Sequence, residues 1–176
     1  MTLRPHVVST QAGLLCALLA AQAGVQLLSI AVPFLRYFAV LLFTCAAPVL
    51  LVWLYRVRRN AEVPGRVHRW SPRWVVGMWF VPGLNLWAPH QAVADVAAAG
   101  VPESRRGEVT RQVLAWWLSW LVGLAATAGS AWPPTAPLLP PWVAAVFLAL
   151  ASALLIVVVR RLTALHPVDE RLIGGR

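Results

Sequence analysis

Four long stretches of this chain contain no Asp, Glu, Lys, Arg or His: residues 11–32, 37–55, 113–131 and 142–159. A bilayer core about 30 Å thick takes roughly 20 apolar residues per helix. Backbone that crosses it has no water to bond to, so it spans as helices or as a closed barrel of strands of about 9–11 residues, and uncharged runs of this length suit helices. Composition agrees, with 60% hydrophobic and 12% charged residues, against about 25% charged in soluble domains. These runs exclude a disordered chain and disfavour a water-soluble globule. They predict an all-α integral membrane protein, one membrane domain over 1–176, built as a four-helix transmembrane bundle.

The first run admits a competing reading. Arg4, an apolar stretch and then Ala21-Gln22-Ala23 resemble a secretory signal with a small-residue cleavage site. The run continues apolar through Val25, Leu27, Leu28, Ile30 and Val32, which suits a retained span better.

Arginine placement sets the orientation. All fifteen basic residues are Arg, and the formal net charge is +9. Nine lie between spans two and three: Arg56, Arg58, Arg59, Arg66, Arg69, Arg73, Arg105, Arg106 and Arg111. Arg160, Arg161, Arg171 and Arg176 follow span four, and Arg4 precedes span one. The turn between the first two spans holds only Arg36, and the turn between the last two holds none. Cytoplasmic loops collect Arg and Lys. The expectation is therefore a multi-pass protein of the cell membrane, with N- and C-termini cytoplasmic and 160–176 a cytoplasmic tail. The same rule accounts for the positive charge, so no nucleic acid is called for.

Tryptophans fall where an interfacial belt is expected. Trp53 and Tyr55 end span two, Trp116, Trp117 and Trp120 open span three, and Trp132 and Trp142 bracket the outer turn. Small residues at four-residue spacing let helices approach closely: Ala145, Ala149 and Ala153; Ala20 and Gly24; Gly123 and Thr127; Ala125 and Gly129. Pro48 is placed to kink span two. Cys16 and Cys45 lie within apolar runs and predict no disulfide.

The segment from Trp70 to Gly100 is the unusual one. It is apolar enough to enter a membrane but is broken by Gly77, Pro82, Gly83 and Pro89. As a fifth span it would carry Arg105, Arg106 and the C-terminal arginines outside, against the charge rule. The alternative is a helical hairpin over about 71–99, re-entrant or interfacial on the cytoplasmic side. Ser71 caps a first helix that Pro72 opens. Val81-Pro82-Gly83 ends it, and Pro89 opens a second helix that runs to about Ala99.

Four polar residues sit in the second half: Asn85, His90, Gln91 and Asp95. Gln91 and Asp95 share a helix face. They form a candidate polar site at the cytoplasmic mouth of the bundle, since an ionisable residue at membrane depth points to function. The competing reading is that His90 and Asp95 simply face cytoplasm.

The spacing Trp53-x-x-Arg56-x-x-x-Asn60, Trp70-Ser71-Pro72-x-Trp74 and Trp79-Phe80-x-Pro82-x-x-Asn85-Leu86-Trp87-x-Pro89 resembles domain-of-unknown-function family 4328. The resemblance implies a small bacterial multi-span membrane protein and carries no activity with it. The hairpin motif is then Trp70, Ser71, Pro72, Trp74, Trp79, Phe80, Pro82, Asn85, Trp87 and Pro89.

No catalytic constellation stands out. The four histidines are scattered without metal-ligand spacing, and there is no GxSxG, P-loop or GxGxxG motif. The reading is of a non-enzyme with no cofactor and no metal. Between Arg56 and Arg111 nine arginines face four carboxylates, so Arg56, Arg58, Arg59, Arg66, Arg69 and Arg73 are expected to meet anionic inner-leaflet lipid or a partner. That favours an interaction or scaffold protein, with a protein partner or homo-oligomer open. The alternative is an oligomeric transporter or channel for small solutes or ions, suggested by the Pro/Gly-broken segment.

Overall fold

A computed structural model describes residues 5–60, 70–131 and 138–165, and all its regular elements there are helical. The long helices are α1 (Pro5–Leu28), α2 (Leu35–Asn60), α5 (Glu103–Ala131) and α6 (Pro141–Leu165). Between α2 and α5 come α3 (Pro72–Gly77) and α4 (Ala88–Ala99), joined by 3₁₀ turns at Met78–Phe80 and Leu84–Leu86.

All four long helices are long and apolar enough to cross a membrane, over Val8–Leu28, Leu35–Arg59, Glu103–Ser130 and Pro141–Ala164. Their outward faces carry large apolar side chains, among them Leu27, Val40, Leu41, Leu118 and Leu150. A soluble monomer rarely shows such continuous apolar surface. The protein is a multi-pass membrane protein.

The helices differ from the apolar runs at their ends. The first helix begins before residue 11 and stops at Leu28, not at 32. Residues 29–32 turn through short-range bonds, such as Ser29 Oγ to the Gln26 carbonyl, ahead of Pro33, which has no N–H to continue a helix. Helix α5 starts ten residues before the apolar run, with Glu103 in its first turn, and α2 ends on Arg58 and Arg59. Both charges suit the helix dipole at those ends, so the helices continue past the span that hydrophobicity marks. Helix α2 continues through Pro48.

The spans form an arc. Helix α1 packs on α2 and α6, and α6 packs on α5. Helix α6 sits centrally, with 44% of its span buried against 22% for α1 and α2. Helices α2 and α5 stand at the two ends, and the hairpin bridges them, with α3 on α2 and α4 on α5. Helix α1 faces inward on Val8, Ala12, Leu15, Leu19 and Gln22, an alternation of four and three that keeps one stripe on a helix.

Close packing of α5 on α6 centres on Gly123. A Cβ there would come within 2.7 Å of Leu148 Cγ and Cδ2. Ala145 and Ala149 of α6 are also buried, whereas Ala153 is exposed. A strict four-residue step advances about 400° and drifts off the contact. Gly24 meets nothing within 4 Å. Cys16 and Cys45 are free thiols.

The tryptophan belt is corrected in part. Trp53, Trp116 and Trp117 are 1%, 3% and 1% exposed, so they are core residues and not interfacial anchors. The hairpin packs on α2 and α5, the helices that carry them.

Candidate functional site

The hairpin is built as its sequence suggests. Ser71 has extended backbone and accepts a bond from the Trp74 amide at 3.4 Å, and Pro72 takes the first helical turn of α3. The α-helical turns tighten to 3₁₀ at Met78 and end at Val81. Gly83 then reverses the chain with φ +83° and ψ −50°, a conformation that other residues rarely adopt. Helix α4 opens with Pro89 in its first turn and ends at Gly100. It does not lie on a surface: Ala88, Pro89, Ala92, Val93, Ala94, Val96 and Ala97 are all buried.

Two side chains of the long helices hold this unit. The first is Trp117 of α5, whose indole Nε1 donates to the Leu86 carbonyl at 2.9 Å. Its ring is also the hub of an aromatic cluster. Trp79 meets it edge-on at 5.7 Å, and Trp116 and Trp120 lie at 5.4 and 4.8 Å. His90 stacks on it at 6.2 Å with 30° between planes. Such offset and edge contacts are the favoured aromatic geometries.

The second is Arg58 of α2. It is 5% exposed, and its Nε and Nη2 both donate to the Trp70 carbonyl, at 3.2 and 2.9 Å. A planar guanidinium can present two donors to one oxygen where an ammonium cannot hold the same geometry. This overturns the expectation that Arg58 meets lipid phosphate. The charge is committed to fixing the start of the hairpin. Arg56 is half-buried, and Arg59 and Arg73 are exposed. Arg66 and Arg69 lie outside the described residues.

The motif residues divide between two faces. Trp79 turns inward onto Trp117, and Trp70 is half-buried. Trp74, Phe80 and Trp87 are 50%, 72% and 57% exposed, and Pro82 is exposed at the turn. With Leu86 they form an apolar rim around the hairpin.

The candidate polar residues do not converge. Asn85 sits in the second 3₁₀ turn, and His90, Gln91 and Asp95 are half-buried on α4. His90 is spent on the Trp117 stack, and no side-chain hydrogen bond links Asn85, His90 and Gln91. Among the described residues no three His, Cys, Asp or Glu side chains gather to hold a metal.

The arginines do converge. The C-terminal ends of α2 and α6 and the N-terminal ends of α3 and α5 share one end of the molecule. Arg161 of α6 pairs with Glu108 of α5 at 3.0 Å, which brings two of those ends together. Arg59, Arg73, Arg105, Arg106, Arg111 and Arg160 are exposed and bind no other described side chain. The opposite end of the described bundle carries Arg36 alone. The sequence did not single out Trp117 as the hub, although Val109, Val113, Trp116, Trp117 and Trp120 trace an inward stripe on α5 that marks it.

No curated protein and no solved structure is significantly similar to this chain. The family model described as domain of unknown function (DUF4328) matches residues 17–165. That match runs from the first long helix to the end of the last, hairpin included, and the chain therefore belongs to the DUF4328 family.

Proposed function

We propose that this is a non-enzymatic interaction protein of the cell membrane, with both termini cytoplasmic and an arginine-rich cytoplasmic end that engages anionic lipid phosphate. The observation that carries the reading is the set of six exposed arginines, on four different elements, that have no carboxylate to neutralise them among the described residues. Each such charge near an anionic leaflet contributes on the order of 1 kcal/mol. Trp74, at the start of the same hairpin, is exposed beside Arg73, and an amphipathic indole favours the head-group region.

The hairpin is re-entrant in this reading. Two features support it: Trp117, well inside the candidate span of α5, bonds to Leu86, and Trp79 and Phe80 share a cavity wall with Leu50 and Leu51 of α2. Irregular backbone at membrane depth is tolerated where protein covers it, and the arc covers the inward side of the hairpin, where Val75 and Met78 are buried. A protein partner or a second copy would dock on the same end.

The experiment is native mass spectrometry of the full-length protein released from nanodiscs of phosphatidylcholine and phosphatidylglycerol. The wild type retains phosphatidylglycerol preferentially. A variant with Arg59, Arg105 and Arg106 changed to Glu loses that preference while keeping its fold. Equal retention by both proteins overturns the proposal.

The alternative, solute transport by an oligomer, draws on the cavity inside the arc. Its wall carries no charged side chain, which favours neutral lipid-soluble molecules over ions.

A further inference from the structure

The inner side of the arc is not filled. Helices α1, α2, α5 and α6, with the hairpin's Trp79 and Phe80, enclose a cavity of about 260 Å³. Its wall is apolar except for Gln22 of α1 and Ser152 of α6, apart from the indole N–H groups of its tryptophans. Both are 5% exposed. Ser152 is satisfied by its own helix, with Oγ donating to the Leu148 carbonyl at 3.0 Å. Gln22 is not: its side-chain oxygen is buried without a partner. The indole nitrogen of Trp79, another wall residue, is also buried without one.

A buried amide that bonds to nothing is costly, and an amide can both donate and accept. Gln22 stands in the inward stripe of α1, where Leu15 and Leu19 precede it and an apolar residue would pack at no such cost.

We infer that this cavity is a binding site for a neutral, lipid-soluble molecule that carries a hydroxyl or carbonyl oxygen, held by Gln22. Size sets the class. A dry apolar cavity of about 150 Å³ takes benzene, so 260 Å³ takes about ten to a dozen non-hydrogen atoms. A medium-chain alcohol or the ring system of a quinone fits, and both offer the oxygen. Charged ligands do not fit, because nothing in the wall would pair with them. Access is lateral. Phe43 of α2 and Phe80 of the hairpin line the cavity and are 42% and 72% exposed, which places its mouth on the face that meets lipid. This inference does not depend on the arginine-rich end.

Tryptophans 79, 116 and 120 line the cavity, so occupancy is readable in their fluorescence. The full-length protein in phosphatidylcholine nanodiscs is titrated with 10-bromodecan-1-ol, with 2-methyl-1,4-naphthoquinone, and with 1-bromodecane as the oxygen-free control. At least one oxygen-bearing probe is expected to quench saturably, and whichever does so names the source of the oxygen. Bromodecane quenches only by partition, without saturation. Gln22→Leu keeps the volume and is expected to weaken the saturable probe about threefold or more, the worth of one hydrogen bond. Ala151→Phe fills the cavity and abolishes saturation; Ala47→Phe does the same from α2 should the first variant not fold. The inference is overturned if no oxygen-bearing probe saturates, if all three probes behave alike, or if Gln22→Leu changes nothing.

Discussion

Trp117 on α5 and Leu86 on the hairpin are joined by a 2.9 Å hydrogen bond from the indole nitrogen to the carbonyl oxygen. The pair closes a loop of 31 residues and fixes the depth of the hairpin tip against a long apolar helix. Leu86 and Trp87 are themselves exposed, so the bond ties down the part of the tip whose side chains do not pack inward. Trp117→Phe removes the donor together with the five-membered part of the indole, and keeps one six-membered ring for the aromatic contacts. The expected loss is about 1–3 kcal/mol, the hydrogen bond plus the cavity that the smaller ring leaves. Thermal unfolding in detergent reads the stability, and hydrogen exchange should rise at 84–90 and not in α6. Trp117→Ala also empties the centre of the aromatic cluster and should cost about 3–5 kcal/mol.

Arg58 gives a sharper contrast with its neighbour. Its guanidinium makes two bonds to the Trp70 carbonyl and is buried, whereas Arg59 is exposed. Arg58→Lys keeps the charge and loses the fork, and a charged hydrogen bond of this kind is worth about 1.5–3 kcal/mol. Arg58→Lys should lower the melting temperature and raise hydrogen exchange at 70–77. Arg59→Gln should leave both unchanged. Equal effects at the two positions would show that charge, and not geometry, matters here.

Much of this architecture was legible from charge and hydrophobicity. The four spans follow from uncharged runs, and the hairpin from Ser71-Pro72, Gly83 and Pro89, because capping and turn chemistry are local. What the sequence did not reveal depends on contacts between distant segments. Trp53, Trp116 and Trp117 look like an interfacial belt until they are seen buried, with α3 and α4 packed on the helices that carry them. Arg58 looks like Arg59 until the Trp70 carbonyl is placed beside it. Gln22 reads as part of a small-residue cleavage pattern, and only the packing of four helices places it in a cavity. The polar set of Asn85, His90, Gln91 and Asp95 was grouped by nearness in sequence, but His90 is turned to Trp117.

The α5–α6 contact makes a steric prediction. A Cβ on Gly123 would sit 2.7 Å from Leu148 Cγ and Cδ2 and 3.2 Å from the Leu148 backbone nitrogen. Gly123→Ala should therefore destabilise by about 1–3 kcal/mol, as overpacking does. Shortening the opposing side chain relieves the two closest contacts but not the backbone one. In a double-mutant cycle, Leu148→Ala should recover part of the loss with a coupling of about 0.5–3 kcal/mol. Strict additivity would place the clash elsewhere.

Two glycines with open space around them should respond to alanine with opposite signs. Neither Gly83 nor Gly107 has an atom within 4 Å of a built Cβ, so neither substitution causes a clash. Gly83 reverses the hairpin with φ +83° and ψ −50°, where an L side chain is strained by about 1–3 kcal/mol. Gly107 lies within α5 with ordinary helical backbone, where glycine is about 0.5–1 kcal/mol worse than alanine. Gly107→Ala should therefore raise the melting temperature and Gly83→Ala should lower it. The second change should also loosen the Trp117–Leu86 bond three residues away, visible as faster exchange at 84–90. If Gly83→Ala were neutral, the chain would be reversing through a different backbone conformation, and the tip of the hairpin would not be held at the depth that Trp117 fixes.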